Sequence, residues 1–115
     1  MLSIGPGAQL ENGLFVPSLA TLIKYGGTVE LWYEVAERQG FVCGACGKLS
    51  KTGRLVIDHQ HIRGWAKMPT AQRWAYVRNL LCWSCNGFRL ARGATVENLR
   101  GAAAYLEAYE DRRAS

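Results

Sequence analysis

Apolar residues recur at helical spacing in three stretches of the chain. After Pro17, Leu19, Leu22 and Ile23 mark a short helix that Gly26-Gly27 closes. Thr28 can cap the next helix, over residues 29–39, with Glu30 in the first turn, where the helix dipole favours an acid. Its buried stripe is Leu31, Trp32, Val35 and Ala36, and Gly40 ends it. The last helix, 96 to about 111, follows the breaker Gly93 and the cap Thr95. Its stripe of Leu99, Ala102, Ala103, Leu106 and Tyr109 is expected to pack on the core, and Arg112-Arg113 complement its C-terminus. Between the second and last helices the pattern changes. Leu55-Val56-Ile57 reads as a β-branched strand that delivers Asp58 and His59 at its end. Val77–Leu81 reads as a second strand returning antiparallel beside it, and a further helix opens over about 83–90. Residues 62–76 form a longer connection, with a short helix at 70–75 capped by Thr70.

Residues 1–16 show no period and carry Gly5, Pro6, Gly7 and Gly13, so they read as an irregular N-terminal arm. The remainder, 17–115, is expected to be a single domain of α+β class, since 115 residues suffice for one core and not two. A domain this small buries a thin core, and a bound metal would add to its folding free energy.

The cysteines supply such a metal site. Cys43-Gly44-Ala45-Cys46 and Cys82-Trp83-Ser84-Cys85 are two Cys-x-x-Cys knuckles, the spacing of a closed, structural Zn²⁺ site. Neither a secretory signal nor a membrane-length apolar run is visible, which favours metal ligation over disulfides and a cytoplasmic location, with no membrane partner. Gly44 and Gly47 let the backbone turn tightly enough for two thiolates to meet one ion.

Charge narrows the partner. The net charge is +5, and between Glu37 and Glu97 the one acidic residue is Asp58, against Arg38, Lys48, Lys51, Arg54, Arg63, Lys67, Arg73, Arg78, Arg89 and Arg92. That imbalance suits a polyanion, DNA above all, with Arg54, Arg63, Lys67, Arg73, Arg78 and Arg89 as candidate phosphate contacts. The lone acid stands beside His59 and His61, and Asn86 directly follows the second knuckle. Strand, Asp-His, connection, strand and an Asn-bearing helix make a β-β-α unit whose polar groups suit phosphodiester cleavage. Asp58 and Asn86 offer the hard oxygen ligands that Mg²⁺ prefers, and a histidine near its ordinary pKa can serve as base. Asp58 and His59, as neighbours in a regular strand, would point to opposite faces, so the strand must end or twist there for both to serve one phosphate. Each residue also has a plainer use: a histidine packed beside a zinc knuckle, an aspartate capping a turn, an asparagine bonding near a helix start. The conjunction is what a plain zinc ribbon does not call for. Trp32, Trp65, Trp74 and Trp83 read as core or lid, with Trp65 and Trp74 also able to stack on unpaired bases.

Several stretches taken in order resemble one family. Lys24-Tyr25-Gly26, then Gln39-Gly40-Phe41-Val42-Cys43-Gly44-Ala45-Cys46-Gly47, Asp58-His59-Gln60-His61, Val77-Arg78-Asn79-Leu80-Leu81-Cys82-Trp83-Ser84-Cys85-Asn86 and Leu99-Arg100-Gly101-Ala102-Ala103-Ala104-Tyr105-Leu106-Glu107 look like the recombination endonuclease VII family of HNH (His-Me finger) nucleases, found mainly in bacteriophages. The likeness covers about residues 21–110. It implies a small zinc-stabilised ββα-metal core with flanking helices, and zinc on Cys43, Cys46, Cys82 and Cys85. It also implies one catalytic Mg²⁺ or Mn²⁺ on Asp58 and Asn86, and 5′-phosphate and 3′-hydroxyl products. By analogy with HNH sites His59 is the favoured base, with His61 contacting the phosphate or sharing that role. The setting implied is the cytoplasm of a phage host. Two departures stand out: the connection from His61 to Cys82 is longer than the family's short turn, by a piece around 64–76, and the usual Arg-Gly-Leu-Leu-Cys reads Arg78-Asn79-Leu80-Leu81-Cys82.

The resulting expectation is a metal-dependent DNA endonuclease acting on branched, Holliday-junction-like DNA or nicking duplexes. The alternative is a non-catalytic zinc-bearing nucleic-acid binding module. Symmetric junction cutting needs two active sites and hence a homodimer, with Leu14, Phe15, Val16, Leu19, Leu22 and Ile23 as the expected partner surface.

Overall fold

The computed structural model describes residues 3–90 and 94–114. Gly93, the expected helix breaker, and Arg92, one of the basic residues, lie outside them. The chain is a mixed helical protein around a small two-stranded sheet. Helix α1 is Leu19–Lys24 and α2 is Val29–Arg38; β1 is Val56–His59 and β2 is Val77–Leu81. Between the strands sit a 3₁₀ turn at Trp65–Lys67, the one-turn helix α3 at Thr70–Arg73 and a second 3₁₀ turn at Trp74–Tyr76. A wide helical turn at Cys85–Arg89 follows the second knuckle, and α4 at Val96–Ala114 ends the chain.

The caps form as side-chain chemistry dictates. The Thr28 hydroxyl accepts from the Leu31 amide at 3.1 Å, and Thr95 does the same for Asn98 at 3.0 Å. Ser18, which lies outside the helical spacing, caps α1 by accepting from Thr21 at 3.2 Å. At α3, Thr70 is the first helical residue instead of the cap: Pro69 precedes it, and no side chain caps that turn.

Trp32, with no exposed surface, centres the core, joined by Val29, Val35 and Ala36 from α2, Leu22 from α1, and Leu55, Ile57, Leu80 and Leu81 around the sheet. Cys43 and Cys85 belong to the same cluster, so core and knuckles are continuous. The N-terminal arm is irregular, yet it is packed down. Leu14 and Val16 are core residues, Gln9 bridges Phe15, and the Phe15 amide donates to the Gly53 carbonyl at 2.7 Å. Burial of Leu14, Val16 and Leu22 inside their own chain removes them from the expected partner surface; Leu19 and Ile23 remain exposed.

The last helix departs most from expectation. None of the α4 residues is buried, and Leu99, Leu106 and Tyr109 are 38%, 57% and 48% exposed. The stripe does not pack on the core as its periodicity suggested.

Candidate metal centre and catalytic cleft

The first knuckle grows from the end of α2. Its chain turns back through Gly40 and Phe41, and the Cys43 amide donates to Lys48 O at 3.0 Å while the Gly47 amide donates to Cys43 O at 3.0 Å. Gly47 sits at φ +71°, a left-handed geometry that glycine adopts without steric cost. The second knuckle leaves β2, and the Asn86 amide donates to Cys82 O at 3.0 Å to start the helical turn. That turn is wide: the Leu90 amide reaches Cys85 O, five residues back, at 2.7 Å.

Gln39 ties these parts together. Its amide nitrogen donates to Val42 O at 2.6 Å and to Leu80 O at 2.8 Å, and its oxygen accepts from the Leu80 amide at 3.1 Å. One side chain thus fastens the end of α2 and the approach to the first knuckle to the strand that feeds the second. The sequence signals this only as a glutamine ahead of a glycine, and its partner lies far along the chain.

The four ligating atoms of Cys43, Cys46, Cys82 and Cys85 lie within 4.8 Å of one another. Tetrahedral zinc with metal–sulfur bonds of ~2.3 Å needs sulfur–sulfur edges of about 3.8 Å, and Cys46 Sγ and Cys82 Sγ are 3.8 Å apart. Burial opposes ionisation of Cys43, but hydrogen bonds from backbone amides, including those of Cys46 and Ala45, outweigh it and bring this thiol down to about 6. Burial pushes the Cys85 thiol up to about 11, against a 3.2 Å hydrogen bond donated by Arg89. The donor set fits zinc, whose own charge would favour all four thiolates.

Asp58 lies on β1 opposite Asn79, and His59 lies opposite Val77. The register slips between them, so Arg78 is the extra residue of a β-bulge. This irregularity falls at the point where a regular strand would have sent Asp58 and His59 to opposite faces. Asn79, where the family pattern has glycine, is an ordinary strand residue with no left-handed backbone. Asp58 is 5% exposed and holds a two-point ion pair: Arg78 Nε donates to Oδ2 at 2.7 Å and Nη2 to Oδ1 at 3.0 Å.

His59 is half-buried. Its ring stacks on Trp65 at 3.9 Å between centroids and 16° between planes, and on His61 at 5.0 Å and 25°. Burial lowers the His59 pKa from its ordinary value, the neighbouring His61 adds to that, and Asp58 partly offsets it. His61 is exposed and stands between two open clefts. One, of about 730 Å³, is lined by His59, Arg63 and Trp65; the other, of about 430 Å³, is lined by Arg78 and by Thr95 and Val96 at the start of α4.

The predicted site residues are therefore only partly gathered. His59 and His61 share a cleft. Among the described residues, the cysteines are the one group of three or more His, Cys, Asp or Glu ligands that converge. Asn86 is half-buried one step past Cys85, and its side chain makes no hydrogen bond with Asp58 or either histidine. Three of the candidate DNA-binding arginines carry internal partners: Arg78 on Asp58, Arg89 on Cys85, and Arg73 on the carbonyls of Lys24 and Ala66. The Arg54 guanidinium lies over Phe15 at 4.6 Å, while Arg63 and Lys67 are exposed at the insert.

Residues 18–108 match the sequence model of the family described as recombination endonuclease VII. The chain belongs to that family. No curated protein and no solved structure matches it. Membership in the recombination endonuclease VII family points to a DNA-cleaving nuclease, in agreement with the basic middle region. No helix among the described residues is long and apolar enough to cross a membrane.

Proposed function

We propose that this recombination endonuclease VII family member is an HNH-type, metal-dependent DNA endonuclease with a ββα-metal core. It hydrolyses phosphodiester bonds in branched, Holliday-junction-like DNA or nicks duplexes. The observation that carries this reading is the arrangement at the β1–β2 bulge. A buried carboxylate is held beside a guanidinium, and the next residue is an imidazole lining an open cleft. Zinc on Cys43, Cys46, Cys82 and Cys85 would hold the two strands and the helical turn in place.

Asp58 and Asn86 are the residues that would hold Mg²⁺ or Mn²⁺. The hard oxygen donors suit such an ion, which would take the place of the Arg78 guanidinium that now engages both Asp58 oxygens. A divalent cation held there would supply charge stabilisation to the phosphoryl group and the leaving oxygen. His59 takes a proton from water as the water oxygen attacks phosphorus. The bond to the 3′ oxygen breaks and that oxygen takes a proton from solvent water, leaving 5′-phosphate and 3′-hydroxyl ends, while protonated His59 returns its proton to solvent. His61 and Arg63, which line the cleft, contact the scissile phosphate. Arg54 and Lys67 extend the basic surface along the backbone.

Cleavage of a four-way junction beside linear duplex, with Mg²⁺ and Mn²⁺ compared, tests this reading. His59→Ala should abolish cutting while zinc content and DNA affinity stay near those of the native chain. A non-catalytic zinc module has one observation in its favour, that Arg78 already engages Asp58. It prevails if no chelator-sensitive cutting occurs on either substrate while zinc and DNA still bind.

A further inference from the structure

The ring of His59 makes no hydrogen bond among the described residues. Histidine bases are commonly oriented by a bond from their second nitrogen to a carbonyl or carboxylate. In this chain aromatic contacts take that place. Trp65 covers one face of the imidazole at 3.9 Å, nearly parallel, and Tyr25 leans against both rings, 5.8 Å from His59 and 6.1 Å from Trp65. On Trp65 in turn lies the Arg73 guanidinium, 5.2 Å from its centre.

The segment that delivers Trp65 is anchored independently of His59. Arg73 donates to the Lys24 carbonyl at the end of α1 at 2.9 Å, and to Ala66 O at 3.4 Å. Gly26 and Gly27 let the segment come this close. A Cβ on Gly26 would collide with the Thr70 carbonyl, and one on Gly27 would lie 2.5 Å from the Trp74 ring. The long connection is thus fixed to α1 on one side and presents an indole to His59 on the other.

We propose that Trp65 is a positioning residue that holds the His59 imidazole in its productive orientation, by stacking in place of a hydrogen bond. The assignment rests on the reading of His59 as general base.

Trp65→Leu, which keeps apolar bulk but no ring, and Trp65→Phe, which keeps a ring, separate the possibilities. Trp65→Leu should lower kcat about 10- to 100-fold, the scale of a misplaced catalytic group. KM, DNA affinity and zinc content should stay within about twofold of the native chain, and Trp65→Phe should recover most of the loss. A second readout needs no activity: the His59 ring-proton resonances, shifted by the indole above them, should move in Trp65→Leu and largely return in Trp65→Phe. If Trp65→Leu keeps native kcat, or loses activity through KM or DNA affinity alone, the positioning role is wrong although His59→Ala is inactive. If His59→Ala is itself active, the reading of His59 as base fails and the proposal goes with it.

Discussion

Asp58 is nearly sealed from solvent, whereas the Arg78 side chain is 47% exposed. Removing a partner from a buried ion pair leaves the other charge desolvated, at a cost of about 3–5 kcal/mol when both are buried. With Arg78 half in water, the cost of Arg78→Ala should be smaller, roughly 1–3 kcal/mol in urea unfolding of the zinc-loaded chain. If Asp58 also takes a divalent cation, Mn²⁺ should raise the melting temperature of Arg78→Ala more than that of the native chain, because the ion then has no guanidinium to displace. Equal stabilisation of the two would count against Asp58 as a metal ligand. His59 gives a second prediction. Burial and His61 lower its pKa, so the neutral, base-competent ring persists to lower pH than an ordinary histidine. The acid limb of kcat/KM should therefore have its midpoint below the ordinary value of about 6.5. A midpoint above that value would argue for a different base or a different environment.

The two knuckles behave as one element because their four sulfurs could hold one ion, and because Gln39 and the Gly44 amide fasten the first knuckle to the strand that leads into the second. Structural zinc contributes about 10–16 kcal/mol on binding, comparable with the whole stability of a small domain at roughly 5–15 kcal/mol. Chelation, or Cys82→Ala, should therefore abolish cooperative unfolding and not merely lower its midpoint; a sharp thermal transition in the metal-free chain would show that the core stands alone. Gln39→Ala should cost about 1–3 kcal/mol with zinc still bound, since it orphans the Val42 carbonyl and the Leu80 amide. A change below about half a kcal/mol would mean that water replaces those bonds. Thr28, Thr95 and the glycine turns were legible in the sequence because each depends on signals a few positions apart, and the two strands were legible because each carries its own apolar run. The bulge at Arg78, the clamp by Gln39 and the stack on Trp65 were not legible. Each depends on a partner 6 to 41 residues away, and no spacing rule encodes such a meeting.

At the scale of the molecule, α4 is the element that a single copy does not explain. Its apolar stripe is present as a pattern but not as an internal contact: periodicity tells which face seeks burial and not what buries it. Isolated helices are marginal in water, and most helices in proteins are held by packing of an apolar face. Leu99, Leu106 and Tyr109 are not buried within the chain. A junction nuclease with one candidate site per chain needs two chains to cut paired strands, and a two-fold axis brings the same stripe of each copy face to face. If the chain resolves junctions as proposed, the surface expected to meet a second copy is α4, with exposed Leu19 and Ile23 of α1 as the remaining part of the surface expected from the sequence. Sedimentation equilibrium should find a dimer, and Leu106→Glu with Tyr109→Glu should dissociate it. Because Leu106 and Tyr109 line neither of the clefts that His61 borders, the monomer should still nick plasmid DNA, yet it should lose paired, symmetric cuts in a four-way junction. A native chain that sediments as a monomer and still resolves junctions symmetrically would remove the need for a second site, and with it the reason for assigning α4 to a second copy.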